Sequence, residues 1–295
     1  MERPKILFIV NPISGASKGK EIASYIKTHL DGTVLDADIR FTEAVNHATE
    51  IAIEGVKEGF KIIAAVGGDG TINETAKALR HTDTALGIIP IGSGNGLARH
   101  LGIPLQSKFA LKRLVTGETR VIDSGILNDV PFFCTAGTGF DAYVSHVFAT
   151  ATGRGLSNYV KAGVKEYLRY SSSEYELIVD GDKLTVDAYA ITVANAAQYG
   201  NNAYIAPEAS TRDGLLNVTI LKHFPKWKGI PLVIRTFNKT IHRSPHVLTV
   251  KGKKIQIRKT GQEDTNLFVH RDGEPYMAKS PLNFEVVPQS LKVIV

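Results

Sequence analysis

The segment Ile62-Ile63-Ala64-Ala65-Val66-Gly67-Gly68-Asp69-Gly70-Thr71-Ile72-Asn73-Glu74 restricts the fold of this chain more than any other. A short apolar run, the length of a buried strand, turns sharply through glycines and opens into a helical pattern. Glycines permit positive φ and let a ligand approach the backbone, while the free N–H groups and dipole of the first helical turn favour an anion. A carboxylate beside a phosphate is repulsive unless a divalent cation stands between them, so Asp69 turns the motif into a candidate magnesium–nucleotide site. The alternative is an ordinary strand-to-helix turn with Asp69 as N-cap.

Two further segments follow the same logic. Ile6-Leu7-Phe8-Ile9-Val10 runs into Asn11-Pro12-Ile13-Ser14-Gly15 and a helix from about Glu21, and Leu86-Gly87-Ile88-Ile89-Pro90 runs into Ile91-Gly92-Ser93-Gly94-Asn95-Gly96. In a parallel sheet the carboxyl ends of the strands share one edge, where open α/β folds bind ligands, so the three loops are expected to converge. The Walker pattern is absent, because Gly15 leads to Lys20 and then Glu21, and no dinucleotide GxGxxG follows a strand.

At 295 residues and 43% hydrophobic content the chain is long enough for two domains with separate cores. The pattern changes near residue 125. Before it, strands over 5–10, 34–41, 61–66 and 85–89 alternate with helices over 21–30, 47–59, 72–79 and 107–114, which predicts a parallel sheet flanked by helices. After it, short strands dominate: 175–186 with a hairpin at Asp180-Gly181, then 188–194, 216–221, 247–250, 254–258 and 267–270, which predicts a β-sandwich. Residues 142–170 read as helix around a break at Gly153-Arg154-Gly155, and the last apolar strand, 291–295, can close either domain.

Composition excludes some classes. The single cysteine cannot form an internal disulfide, and Cys134, in an apolar run, reads as a buried inert thiol. The chain has no apolar run of about 18 residues and enters its first strand without a signal-peptide core, so a cytoplasmic protein is expected. The histidines lack metal-site spacing, His242 and His246 having no adjoining acid. Gly92-Ser93-Gly94 is not a nucleophile elbow, and nucleic-acid modules are missing. A formal charge of +6 favours anionic surfaces. The stretch from Phe224 to Phe237 mixes apolar and basic residues and reads either as a transient membrane contact or as a packed helix. Oligomeric state is not legible, a homodimer included.

Asn11-Pro12-x-Ser14-Gly15, Gly67-Gly68-Asp69-Gly70-Thr71-x-Asn73-Glu74 and Pro90-x-Gly92-Ser93-Gly94-Asn95 resemble, in order, the nucleotide loops of the diacylglycerol kinase catalytic-domain family. This is a group of soluble lipid kinases that includes sphingosine and ceramide kinases and is distantly related to NAD kinases. Shorter matches continue at 41–48, 123–125, 136–141, 213–215 and 271–274. The resemblance implies an α/β fold. An N-terminal, Rossmann-like nucleotide domain (1–125, rejoined by about 285–295) would precede a C-terminal β-sandwich substrate domain (126–284), with an ATP cleft between them.

It also implies an ATP- and Mg²⁺-dependent kinase acting on a lipid at the membrane surface, with Asn11, Ser14, Gly15, Gly67, Gly68, Asp69, Gly70, Thr71, Gly92, Ser93, Gly94 and Asn95 around ATP. Thr42 and Glu74 would lie near the adenosine end. Asp69 would anchor Mg²⁺, with Asp123 in a carboxylate–water–metal network. Thr42 reads equally as a helix cap and Asp123 as a capped turn. Asp272, where a strand ends in a glycine turn, is the candidate base, a role contributing on the order of 10²–10⁴-fold; Glu274 would assist at the nucleotide. Asp31-Gly32, Asp180-Gly181 and Asp213-Gly214 show that Asp-Gly pairs also serve as plain turns. Asp213 and the Leu215 carbonyl match a second, structural magnesium site of bacterial relatives, or a hairpin turn. Arg154 is a phosphate clamp or a solvated arginine. Gly96 stands where many diacylglycerol kinases carry Asp, and residues 46–48 and 92–95 are closer to sphingosine kinases. Diacylglycerol, a sphingoid base, another lipid alcohol and, more distantly, NAD therefore remain candidate acceptors. A nucleotide-binding regulator without catalysis is the other class, and the pairing of Asp69 with Asp272 argues against it.

Overall fold

The computed structural model describes residues 3–15, 18–150, 165–261 and 265–295, with the backbone alone at 148–150. The chain divides into two units, residues 1–124 with 288–295, and residues 125–287.

The first unit runs β1 (Lys5–Val10), α1 (Lys18–His29), β2 (Asp36–Phe41), α2 (His47–Lys57), β3 (Ile62–Gly67), α3 (Asp69–Leu79), β4 (Ala85–Pro90), α4 (Gly96–His100) and α5 (Ser107–Thr116), and then enters β5 (Thr119–Leu127). Strand order is β2-β1-β3-β4, all parallel. β1, β3 and β4 are buried along almost their whole length rather than alternately, the pattern of parallel strands covered on both faces. Small residues set the helix spacing. A Cβ on Gly55 of α2 would come within 2.4 Å of Leu7, and one on Gly87 of β4 within 2.3 Å of Leu114 of α5, so glycine lets each helix lie against the sheet. The last residues of the chain rejoin this sheet beside β4, Val293 pairing with Leu86 in parallel.

The second unit is antiparallel: β6 (Val130–Phe132), β7 (Thr135–Gly139), α6 (Phe140–Thr150), β8 (Ser173–Val179), β9 (Asp182–Ala194), β10 (Leu216–Lys222), β11 (Val247–Gly252), β12 (Lys254–Lys259), β13 (Asn266–Arg271), β14 (Glu274–Lys279) and the first part of β15 (Leu282–Ile294). A helix, Gly229–Phe237, interrupts the strands. The long β9 pairs with β8 over its first half and with β7 over its second, while β10 lies along its other edge. One core fills the resulting sandwich, with Leu177, Ile191, Val218, Ile257, Val269 and Phe284 at its centre. In β15, Leu282, Phe284 and Val286 point inward between Asn283 and Glu285, the period-two burial of a one-faced strand.

Three expectations shift. The third helix begins at Asp69 rather than Ile72, because Gly68 takes the extended N-cap position and lets the helix start within the glycine run. α4, five residues long, is too short to leave a periodic signal. The last strand is not a separate piece but the end of thirteen-residue β15. The Asp180-Gly181 hairpin forms as expected, with φ of 50° and 99°. The break at 153–155, and Arg154 with it, lies outside the described residues.

Candidate functional site

Parallel register sets the site in the first unit. Val10 pairs with Val66 and Gly67 with Pro90, so the loops after β1, β3 and β4 leave adjacent strands at one level. The chain then ties them together: Asn11 N–H donates to the Val66 carbonyl (3.0 Å) and Ile91 N–H to the Gly67 carbonyl (2.9 Å). Asn11 Nδ2 donates to Thr71 Oγ1 at 3.3 Å, while its Oδ1 accepts the N–H of Ile13, closing the first loop. Gly15 sits at φ 59°, and a Cβ there would meet the Ile91 carbonyl at 2.6 Å.

The second and third loops interlock still more closely. A Cβ on Gly92 would lie 2.7 Å from Gly68 Cα, and one on Gly94 2.6 Å from Asp69 Oδ2. Asp69 itself accepts the N–H groups of Asn95 and Gly96, each at 2.8 Å, and so caps α4 across the loops. As the first residue of α3 rather than its N-cap, it departs from the turn alternative read in the sequence. Asn95, at φ 52°, donates Nδ2 to the Gly92 carbonyl (2.7 Å), and Arg99 Nε donates to the Gly94 carbonyl (2.9 Å). The sequence places the Arg99 guanidinium near the third loop, and the five-residue helix that carries it turns that guanidinium back onto the loop's own carbonyl. Asn11, Ser14, Gly68, Asp69, Gly70, Gly92 and Gly94 keep part of their surface in solvent, and Ser93 is exposed.

The first-turn N–H groups of α3 have no intrahelical partner, and backbone lies bare at the glycines. Buried Asn95 Oδ1 has no hydrogen-bond partner. This donor set fits the phosphates of a nucleotide, and the orphaned amide oxygen fits a ligand hydroxyl or a metal-bound water. Magnesium fits in a narrower sense. Among the described residues no group of three or more His, Cys, Asp or Glu side chains is arranged to hold an ion. Asp123 is buried on β5, its Oδ1 accepting Gln289 N–H at 2.8 Å. A carboxylate retains lone pairs beyond two such bonds. The arrangement suits a cation that arrives with the phosphates and keeps its waters, not a protein-made cage.

Other expected residues carry structural duties. Glu74 accepts Asn46 N–H (2.9 Å) and Ala48 N–H (3.2 Å), capping α2 from α3. Thr42 is buried directly after β2, its N–H bonded to the Val10 carbonyl at 2.9 Å; the N-cap of α2 is Asn46. In the second unit Asp213 accepts Leu215 N–H (3.2 Å) and pairs with Lys251 (3.5 Å), so a cation there would displace an ammonium. Glu274 is exposed and 4.0 Å from Arg271.

Asp272 occupies the left-handed corner of the β13–β14 hairpin, at φ 49° and before Gly273 at 88°. Its carboxylate accepts three successive amides, from Phe133 (2.9 Å), Cys134 (2.7 Å) and Thr135 (3.0 Å). Asp180 fills the matching place in the β8–β9 hairpin and accepts Lys253 and Lys254 N–H. The two turns differ in electrostatics. At Asp180 the amide bonds hold the carboxyl below its ordinary range, whereas at Asp272 desolvation overrides the amides and pushes it up to about 6. A carboxylate with that affinity can accept a proton near neutral pH.

The second unit also holds a cavity of about 420 Å³, walled by apolar side chains including Tyr189, Phe224, Leu232 and Val247. Its polar corner is Asp141, whose Oδ2 receives Thr192 Oγ1 (3.0 Å), Tyr199 OH (2.8 Å) and His270 Nε2 (3.0 Å). Burial opposes ionisation of Asp141, but the contact with His270 and the surrounding bonds outweigh it and lower its proton affinity. This cluster escaped the sequence reading because α6, β9, β13 and the loop after β9 each supply one part.

The profile of the diacylglycerol kinase catalytic domain matches residues 5–127, and that of the YegS C-terminal NAD kinase beta sandwich-like domain matches residues 134–295. The chain is 27% identical to a diacylglycerol kinase of Mycobacterium tuberculosis, over 98% of this chain and 94% of that one. It is 28% identical to a diacylglycerol kinase of Bacillus subtilis, over 93% and 90%. The crystal structure of a diacylglycerol kinase from Bacillus anthracis superposes with a TM-score of 0.77 at 21% identity, over 100% of this chain and 97% of that one, and so shares its fold. With both profiles matched in order and the nucleotide loops in place, the chain belongs to the diacylglycerol kinase family of lipid kinases.

Proposed function

We propose that the protein transfers the γ-phosphoryl group of ATP, with Mg²⁺, to a hydroxyl of diacylglycerol or a closely related lipid. The observation that carries this reading is the set of three glycine loops held at one level at the ends of β1, β3 and β4. Phosphoryl transfer asks a protein mainly for positioning and for charge stabilisation, and first-turn N–H groups with bare glycine backbone supply both. Asp69, and Asp123 through water, would hold the metal, which when bound neutralises charge on the phosphates. Asp272 would orient the acceptor hydroxyl and take its proton late in the step, a task suited to a carboxyl pushed up to about 6. The apolar cavity with its Asp141 corner suits an acceptor that has a hydrocarbon tail and a polar head.

Gly68→Ala tests the loops. Gly68 has φ −87°, and the nearest atom to an added Cβ is Gly92 Cα at 3.4 Å, so the fold accommodates alanine. A phosphate lying on this backbone would not. The expected outcome is an unchanged melting temperature with ATP binding weakened at least about ten-fold, equivalent to about 1.4 kcal/mol, in calorimetric titration. Unchanged ATP affinity would remove these loops from the nucleotide site.

A further inference from the structure

Soluble proteins scatter their exposed apolar side chains singly, whereas this chain concentrates them. Of the seventeen exposed large apolar side chains among the described residues, five fall within residues 227–237: Trp227, Ile230, Val233, Ile234 and Phe237. Trp227 is 71% and Ile230 75% exposed. The spacing 227, 230, 234, 237 follows one face of the helix and its leading turn, with Val233 beside it, while Leu232 turns inward onto Tyr189, Phe224 and Ile241. The outward apolar face is therefore surplus to the core.

Along the chain on either side of it, charge has a single sign. Residues 214–261 carry eleven Lys or Arg and no Asp or Glu, although the whole chain is close to balanced at 35 basic and 29 acidic residues. Lys228 holds its ammonium 4.4 Å above the Trp227 ring, and Lys239 lies beyond the helix end. Lys226 does other work: it donates to the carbonyls of Tyr167 and Tyr170 and ties the turn down. An apolar ridge with cations along its flank matches an interface of acyl chains beneath anionic headgroups. A protein partner would have to offer an apolar groove rimmed only by acids.

We infer that the Lys226–Phe237 segment docks the second unit onto anionic phospholipid bilayers, with Trp227, Ile230, Ile234 and Phe237 entering the acyl boundary and Lys228, Arg235 and Lys239 meeting phosphates. The same helix forms a wall of the 420 Å³ cavity through Leu232 and Val233, and exposed Ile230 and Ile234 line it as well, so the docked face borders the pocket suggested for the acceptor. The surface argument itself needs no nucleotide and no transfer. Its failure leaves the kinase reading standing, and the reverse holds too.

Trp227 is the only tryptophan in the chain, so tryptophan emission, excited beyond the tyrosine absorption band, reports on this segment alone. Mixing the ATP-free protein with vesicles of phosphatidylcholine containing phosphatidylglycerol should shift its emission to the blue, and brominated acyl chains should quench it. Vesicles of phosphatidylcholine alone should bind at least about ten-fold more weakly. Lys228→Glu with Arg235→Glu should lower binding to the anionic vesicles by a similar factor, with the far-ultraviolet dichroism of the wild type. The inference is overturned if wild-type emission ignores anionic vesicles, if the charge-reversed protein binds them as well as wild type, or if sedimentation shows a dimer that buries Trp227.

Discussion

At the scale of single residues, the decisive contrast lies between two aspartates in the same turn. Asp180 and Asp272 each stand at the left-handed corner of an Asp-Gly hairpin and each accept backbone amides, yet only Asp272 is pushed up, to about 6, by desolvation. The sequence shows both as identical pairs. What separates them is burial, Asp272 being half-buried and Asp180 exposed, and no local pattern announces that. If Asp272 takes the acceptor proton, kcat/KM should fall about ten-fold per pH unit below about 6, where the carboxyl is protonated, and level off above it. Asp272→Asn should abolish that limb and lower the plateau by about 10²–10⁴-fold while ATP still binds; an inflection near 6 surviving in the variant would assign it to another group. Stability carries the opposite sign. Because the folded proton affinity exceeds the ordinary 3.8, the stabilising contribution of this group is complete below about pH 4 and is lost as pH rises through about 6.

Elements are joined by side chains that the sequence motifs suggested for ligand contact. Glu74 bridges α3 to the first turn of α2 through the Asn46 and Ala48 amides, and Asp69 bridges α3 to α4. A glycine-rich motif can therefore be rich in acids for two reasons, ligand chemistry and loop capping. Glu74→Ala should cost about 1–2 kcal/mol in urea unfolding, since two helix-end amides lose a charged acceptor; no loss would mean that water replaces the cap at no expense. The strands and longer helices of the first unit were legible because apolar runs of strand length alternate with amphipathic helices. α4 was not, because five residues hold little more than one turn, and the full extent of β15 was not, because Pro288-Gln289-Ser290 interrupts its alternation.

For the molecule as a whole, the two halves were legible to different degrees. Ordered glycine motifs at strand ends point to a nucleotide loop system, since backbone geometry there demands particular residues: alanine at Gly92 or Gly94 would collide with Gly68 or Asp69. The cavity and its Asp141–His270–Tyr199 corner were not legible, because an apolar wall looks the same in sequence whether it faces a core or a ligand. The acceptor is thus the part of the account that rests most on the folded structure. The most direct test is to incubate the protein with Mg²⁺, ATP labelled at its γ-phosphoryl group and a panel of dispersed lipid alcohols together with NAD, then separate organic from aqueous products. Label should appear in the organic phase on diacylglycerol or a closely related lipid, and only when the lipid is present. Label confined to a soluble dinucleotide, or transferred to no acceptor, would contradict the account.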